Sequence, residues 1–325
     1  MNYRYTKTAL GLLGAMTVGL LPATAQTTTS FNQEGGFFHV ADSWTNGLPD
    51  ASTAGFVENR TAVIGTAAAL NTGAVVTVSG NSSLERNGIG RSDFSGTLNI
   101  NDTANVKIST WHPQTGAVLN WNSSGTFSLA DDGPNASQAR LLVNTARDVT
   151  INVNAGFWDM RGNGNPASVH FNHGTFNMNG GLLIADRMFR IGSGETSATL
   201  NYAADAEIRA ASFGTFNDSV FDFEPGATLY LETGLLGSFG TQGFEWFRDE
   251  MRKGADSSVH IAGVHQSLGP EEGLDVSNFL TDTVELDGIW YNSITAIPEP
   301  RTYAFVFGLL GLAIIALRRR KRLRA

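Results

Sequence analysis

The sequence predicts an all-β protein built as a right-handed parallel β-helix, and three observations lead to that fold. Apolar and polar residues alternate with period two in short runs along residues 60–235, as in strands with one buried face. Asn, Gly, Asp and Ser, which tolerate tight turns, separate the runs. The chain has 37 glycines and no cysteine, a composition that favours a turn-rich β protein. An antiparallel β-sandwich or jelly roll would produce the same alternation and is the alternative.

The alternating runs are the predicted strands of stacked coils. A Gly-Thr-apolar start recurs at Gly96, Gly125, Gly174 and Gly214, at separations of 29, 49 and 40 residues. Imperfect repetition of this kind favours the coils of a solenoid, in which apolar residues point inward and Asn or Thr stack at the turns. The runs are residues 74–78, 97–100, 106–108, 126–129, 149–153, 169–171, 175–178, 198–202, 220–223 and 228–231.

Residues 243–254 break the alternation and predict a short helix. Phe244, Phe247 and Met251 recur on one helical face, and Gly254 is a natural C-terminal stop. Because the end of an open β-stack needs covering, we expect this helix to cap the solenoid. A lid over a ligand is the alternative role.

An Asp-Gly pair between two apolar runs predicts a β-hairpin near the end of the body. Asp287 and Gly288 divide residues 284–291 into two such runs. We expect this hairpin to close a β domain of residues 26–292, so that residues 293–301 form a linker.

The first 25 residues predict a secretory signal peptide. Arg4 and Lys7 precede an apolar run over residues 9–21, and Ala23-Thr24-Ala25 supplies the small residues that signal peptidase recognises. Cleavage is expected after Ala25, so the protein is exported.

The C-terminus predicts a membrane helix followed by a basic tail. Residues 302–317 are uncharged and mostly apolar, and six cations follow over residues 318–325. The span is short for a bilayer, but flanking arginines can reach the interface. Positive charge stays on the cytoplasmic side, which places the body outside, in agreement with the signal peptide.

The segment before this span carries a sorting motif. Pro298-Glu299-Pro300, a short apolar helix and an Arg cluster resemble, in this order, the PEP-CTERM sorting signal of Gram-negative bacteria that secrete exopolysaccharide. The resemblance covers residues 297–325. It implies recognition by an exosortase, which cleaves near the motif, so that the inner-membrane precursor becomes a cell-surface or extracellular protein. The two prolines keep the segment extended, as a protease substrate requires.

The body between the two signals is acidic. Nine of the 22 basic residues lie in the terminal segments and 29 of the 30 acidic residues lie within residues 26–297, so that stretch carries a net charge of −16. Binding to nucleic acid depends on cationic patches and is not expected. The absence of cysteine also excludes thiol nucleophiles and cysteine metal sites.

Candidate metal-binding and acid–base residues are few. Asp131 and Asp132 could bind calcium or act on a glycosidic bond, although Asp-Asp-Gly-Pro-Asn is first of all a turn sequence. His170 and His173 are three residues apart and would point to opposite faces of a strand, which predicts surface or turn histidines. We predict no resident cofactor and no catalytic residue.

Charged and aromatic side chains offer a weaker case for saccharide binding. Arg161, Asp186, Arg187 and Arg190 could form a basic saccharide-binding strip, but we expect them to be ion-paired charges that protect strand edges. A carbohydrate platform would need exposed aromatic residues aligned on one face, and the sequence does not show such an alignment. We interpret four tryptophans as exposed but scattered: Trp111, Trp121, Trp158 and Trp246.

These features predict an exported surface or matrix protein with a structural, exopolysaccharide-associated role. Its partners would be signal peptidase, an exosortase, the membrane and exopolysaccharide. The body, including residues 42–50, is similar in composition to autotransporter-type β-solenoid surface proteins, which implies no site residues. A polysaccharide lyase or glycoside hydrolase on a β-helix is one alternative, and an adhesin is another.

Overall fold

The described chain folds as a parallel β-solenoid with three faces. The computed structural model describes residues 27–64, 69–70, 73–86, 91–108, 110–129, 140–143, 148–161, 169–192, 196–215, 218–233, 258–266 and 278–297. Each coil passes from a strand in the first sheet to one in the second, and most continue to a third face before returning. Ala41–Ser43 form a short 3-10 turn.

The first sheet, called sheet 1, has 11 strands. In spatial order they are β1 (Thr27–Ser30), β3 (Thr53–Glu58), β6 (Val75–Ser79), β9 (Thr97–Ile100), β12 (Val118–Trp121), β15 (Thr150–Val153), β18 (Gly174–Met178), β20 (Ala198–Tyr202), β22 (Val220–Phe223), β24 (Ser258–Ile261) and β25 (Val264–Gln266). Consecutive strands pair in parallel until β24 and β25, which form an antiparallel hairpin.

The remaining 16 strands form one continuous sheet that bends around two faces. One face, called sheet 2, holds β2 (Gly36–Phe37), β4 (Thr61–Ile64), β7 (Ser83–Arg86), β10 (Asn105–Ile108), β13 (Thr126–Leu129), β16 (Phe157–Asp159), the first halves of β19 (Gly181–Ile191) and β21 (Ala206–Thr215), β23 (Thr228–Glu232), β26 (Phe279–Leu286) and β27 (Ile289–Ala296). The third face holds β5 (Ala69–Leu70), β8 (Arg91–Phe94), β11 (Thr110–Pro113), β14 (Arg140–Val143), β17 (Val169–Phe171) and the second halves of β19 and β21.

The strand pairing confirms the solenoid and shows that the sandwich alternative is wrong. β12 lies between β9 and β15 in parallel, and each of its four residues has one partner in either neighbour. A sandwich of hairpins would pair strands antiparallel, whereas here each strand pairs with the equivalent strand of the next coil.

The interior is a continuous apolar column. Period-two alternation places Leu98 and Ile100 inward and fully buried, and the same positions of the following coils repeat the arrangement. Large aromatic rings fill the centre: Phe127 stacks on Trp158 with ring centroids 4.6 Å apart, and Trp121 meets Trp158 edge to face at 5.9 Å. This packing supplies the burial that a protein without disulfides requires.

Glycine is required where successive coils touch at a corner. Gly174 has a φ of 100° and begins β18, and a Cβ there would lie 2.1 Å from the carbonyl oxygen of Val149. Gly96 is in the same situation at the start of β9, whereas Gly125 precedes a strand of sheet 2 and Gly214 lies on the third face. The Gly-Thr recurrence therefore does not mark one equivalent corner in each coil.

An antiparallel hairpin covers the C-terminal end of sheet 2. β26 and β27 turn at Asp287 and Gly288, both with positive φ, and β27 pairs antiparallel with β23. The predicted hairpin is confirmed, but the predicted linker boundary is wrong, because β27 continues in the sheet to Ala296. The extra residues pair with β23, and there Thr295 lies opposite Thr228 with the two hydroxyl oxygens 2.8 Å apart.

Several predicted segments lie outside the described residues. They are the signal peptide with Ala25, the helix over residues 243–254, Pro298-Glu299-Pro300, the membrane helix over residues 302–317 and the basic tail. In the ranges that are described, no helix has the length and apolar character needed to cross a membrane.

Candidate functional site

Two columns of asparagine run along the outer face of sheet 1. The local sequence pattern is Thr or Val, apolar, Asn, apolar, Asn, so the apolar residues point inward and the asparagines outward. Parallel pairing in unbroken register stacks each asparagine on its equivalent in the next coil. The first column is Asn99, Asn120, Asn152, Asn177 and Asn201, and the second is Asn101, Asn122, Asn154 and Asn179.

Each column is joined by hydrogen bonds between side-chain amides. From the second member of each column onward, the Nδ2 donates to the Oδ1 of the asparagine in the preceding coil. In the first column the distances are 2.8 Å for Asn120 to Asn99, 2.7 Å for Asn152 to Asn120, 2.6 Å for Asn177 to Asn152 and 2.6 Å for Asn201 to Asn177. In the second they are 3.0 Å for Asn122 to Asn101, 2.6 Å for Asn154 to Asn122 and 2.7 Å for Asn179 to Asn154.

The outward side of sheet 1 carries no charge between β6 and β20. The outward positions of these strands hold Thr, Val, Ser, Asn and Ala, and all of the first column is half-buried. Charge returns at the two ends, with Glu58 on β3 and Asp222 on β22. The amide column ends at Asn201 because its partner in the next coil is Asp222, whose carboxylate accepts a hydrogen bond from the Gly263 backbone N–H at 3.0 Å.

A second polar surface lies on sheet 2 near the hairpin, and Arg209 is at its centre. Its guanidinium donates to Glu207 on the same strand and, at 2.6 Å, to Asp287 in the hairpin turn. Burial lowers the pKa of Arg209, but these carboxylates outweigh burial and raise it. The contact joins β21 to a turn 78 residues later, so it docks the hairpin onto the solenoid.

A carboxyl group with a raised pKa lies on the same surface. Burial raises the pKa of Glu232, and the negative charge of Asp186 raises it further. Tyr291 is paired with Glu232 across the sheet, and its pKa is also raised, first by burial and then by the charge of Glu232. The two carboxyl groups therefore interact electrostatically on this surface.

The two candidate histidines, His170 and His173, differ in setting from a third, His112. His173 lies in the bend before Gly174, in agreement with the prediction of a turn histidine, whereas His170 is a half-buried strand residue of β17. His112, which the sequence interpretation did not single out, is fully buried on β11, with its Nδ1 2.8 Å from the Asp93 carboxylate of the preceding coil. Within the described ranges, no group of three or more His, Cys, Asp or Glu residues is placed to hold a metal ion.

The predicted calcium candidates, Asp131 and Asp132, lie outside the described residues. We expected four residues to be ion-paired charges at strand edges, with a basic strip as the alternative, and the structure does not place them together on one face: Arg161, Asp186, Arg187 and Arg190. Arg161 is bonded to Asp159, with Nε to Oδ1 at 2.7 Å and Nη2 to Oδ2 at 2.8 Å. Asp186 and Arg187 occupy a β-bulge in β19. Arg190 lies on the third face and donates to Asn172 at 3.0 Å. The ion-paired interpretation is thus confirmed for Arg161.

The interpretation of the tryptophans as exposed aromatics is wrong for three of the four. Trp111, Trp121 and Trp158 are at most 2% exposed and belong to the core. The reason is alternation: Trp121 is two residues after Leu119 on β12, so both point inward. Trp246 lies outside the described residues, and Trp290, on the hairpin, is 52% exposed.

The asparagine columns combine regular geometry with neutral hydrogen-bonding groups. Comparison of the chain with protein-family models, curated proteins and solved structures finds no match. What the chain offers for function is therefore the geometry of this face, together with the sorting segments that its sequence predicts.

Proposed function

We propose that this chain is an exported surface or extracellular-matrix protein with a structural, exopolysaccharide-associated role. The first 25 residues direct export, and the C-terminal segment tethers the precursor in the inner membrane. An exosortase recognises Pro298-Glu299-Pro300 and cleaves near it. The solenoid is then released to the cell surface as a stiff element of the matrix. We also infer right-handed winding, because parallel strand crossovers are almost always right-handed.

The observation that carries the structural role is the repetition of one bonded surface over consecutive coils. Strands β9, β12, β15 and β18 each contribute one residue to both asparagine columns, above one continuous apolar core. A surface that repeats at the strand spacing suits an extended partner, and it needs no reactive group. The sorting segments supply the location in which such a partner is found.

The sorting half of the proposal is tested in the bacterium that produces the protein. Glu299→Ala, or deletion of residues 318–325, is expected to leave the full-length precursor in the inner-membrane fraction. Fractionation followed by immunoblotting measures the processed share. The matched control is Glu285→Ala, the same change at an exposed glutamate of the hairpin, which should be processed as in wild type. Normal surface delivery of the Glu299→Ala protein would contradict the proposal.

A carbohydrate-active enzyme is the second candidate, and the environment of Glu232 favours it. Glu232 as general acid and Asp186 as its charged partner would act on a glycosidic bond. The test is reducing-sugar release from polyuronates and bacterial exopolysaccharides by the purified chain. Turnover that Glu232→Gln and Asp186→Asn both abolish would replace the structural role with this one.

A further inference from the structure

The asparagine face, meaning the outward side of sheet 1 from β9 to β20, has hydrogen-bonding capacity that its own columns do not use. An amide side chain offers two N–H donors and two acceptor lone pairs. Asn120, Asn152 and Asn177 each donate one bond and accept one bond within their column. The same holds for Asn122 and Asn154 in the second column. Each of these side chains therefore keeps a second donor and a second acceptor.

The columns also hold these groups in place before any ligand arrives. Each amide is fixed by its neighbours above and below, so binding would order few further rotamers, and ordering them is a main cost of association. Asn122, Asn154 and Asn179 in the second column are exposed, and the first column is half-buried. Three of the four members of the second column are therefore open to a ligand, and the first column forms the floor beside them.

The charge distribution selects the class of ligand. No cation lies on the outward positions from β9 to β20, and the body around them is acidic. A polyanion would find no partner here and would be repelled by the rest of the protein. Hydroxyl groups, which donate and accept at one atom, match alternating N–H donors and carbonyl acceptors.

The repeat selects the form of the ligand. Neighbouring strands are about 4.8 Å apart, so the five members of the first column span about 19 Å. A partner lying along the solenoid axis meets the same pair of amides at every coil. A chain of sugar units presents hydroxyls at regular intervals and can make the same contact repeatedly.

We propose that the asparagine face binds a neutral polysaccharide chain laid along the solenoid axis. This rests on the proposed exopolysaccharide-associated function and names its binding surface and polymer class. Weak hydroxyl–amide contacts repeated over several coils add up, so retention depends on the length of the saccharide. A single sugar would bind poorly.

The test is affinity electrophoresis of the full chain in detergent, through gels containing dextran, soluble β-glucan or polygalacturonate. The variant Asn122→Ser/Asn154→Ser removes the spare amide groups from two exposed positions. It is expected to weaken retention by a neutral glucan at least tenfold. The matched control, Asn105→Ser/Asn292→Ser, changes two asparagines on sheet 2 and should be retained as wild type.

Two further measurements keep the outcome decisive. Circular dichroism must show that the variants keep the β spectrum of the wild-type protein. If the double variant unfolds, Asn179→Ala provides a milder change, because it removes only one hydrogen bond at the end of a column. Stronger retention by polygalacturonate, equal retention of the face variant and wild type, or self-association that the face variant abolishes would each overturn the proposal. Surface delivery of the face variant should stay normal. A failure of sorting, seen with Glu299→Ala, is therefore distinguishable from a failure of binding.

Discussion

The outer faces of sheets 1 and 2 are ordered by different means. On sheet 1, one residue type repeats at one position and bonds to itself across the coils, as in the step from Asn152 to Asn177 at 2.6 Å. On sheet 2 near the hairpin, unlike residues meet once, and Arg209 joins Glu207 to Asp287. The first surface could be extended by any number of coils, whereas the second exists only where the hairpin docks.

This difference shows which surface is suited to which task. A repeating neutral surface presents the same contacts to a repeating partner, and losing one member leaves the others intact. A single charged cluster fixes one position, and removing one member affects only the element that it holds. We therefore expect substitutions that disturb coil stacking on sheet 1 to lower the stability of the whole solenoid. Substitutions at the charged cluster should affect only the hairpin that it holds.

The largest effect is expected from Gly174→Ala, which breaks the stacking beneath the asparagine face. The added Cβ would lie 2.1 Å from a backbone oxygen of the preceding coil, at a φ of 100°. Both strain and collision act, so we expect a loss of more than about 3 kcal/mol in the free energy of unfolding. Urea denaturation followed by circular dichroism measures it.

Gly226→Ala is the control for that change. Gly226 has a similar φ of 96°, but its added Cβ would meet only the Ala204 Cβ at 3.6 Å. The backbone strain alone should cost about 1 kcal/mol. Equal losses for the two variants would show that coil contact at the corner is not what makes Gly174 necessary.

An intermediate effect is expected from Tyr202→Phe, which removes a hydroxyl group that links sheet 1 to sheet 2. The buried hydroxyl of Tyr202 donates to the Thr228 carbonyl and accepts from the Ile208 N–H at 2.8 Å. Its loss leaves two buried backbone groups with one partner fewer, at a cost of about 1–3 kcal/mol. Equilibrium unfolding at pH 7 tests this, and an unchanged midpoint would contradict it.

The same variant has a pH signature. Burial raises the pKa of Tyr202 above its ordinary value, so the folded state keeps the proton when the unfolded chain has lost it. The stability that Tyr202 contributes is therefore full below about pH 10 and is lost as the pH rises further, by about 1.4 kcal/mol per unit. The gap between wild type and Tyr202→Phe should narrow above pH 10.

The smallest effect is expected from Asp287→Asn at the charged cluster. Asparagine keeps the shape and tolerates the φ of 54° at this position, but it removes the charge that Arg209 binds. Because the Asp287 side chain is 81% exposed, the loss should stay below about 1 kcal/mol. The rate of backbone hydrogen exchange should rise in β26 and β27 but not in sheet 1. The control Glu285→Gln should leave the exchange rate unchanged in both places.

The solenoid and the hairpin could be predicted from the sequence because both depend on local patterns of residues. Alternation places Leu98 and Ile100 inward, and Asp287-Gly288 has the backbone freedom that its turn requires. The same alternation, followed through residues 118–121, would have placed Trp121 in the core. The linker boundary failed because the pairing of β27 with β23 joins residues far apart in the chain.

The asparagine columns were harder to recognise in the sequence. Their signal is the recurrence of Thr or Val, apolar, Asn, apolar, Asn, as in residues 97–101 and 150–154. It recurs at intervals of 21, 32, 25 and 24 residues, so no fixed period reveals it. Only the parallel register shows that these asparagines are neighbours, and the contact of Arg209 with Asp287 likewise depends on tertiary docking.

Those unequal intervals have a consequence for how such a chain can change over evolutionary time. The coil that leads from Asn120 to Asn152 is 11 residues longer than the one that leads from Asn99 to Asn120, yet both columns continue through it. Insertions between the strands of sheet 1 are thus tolerated without displacing a single amide. The solenoid can acquire new loops on its other sides, and so new properties, while the asparagine face is inherited unaltered.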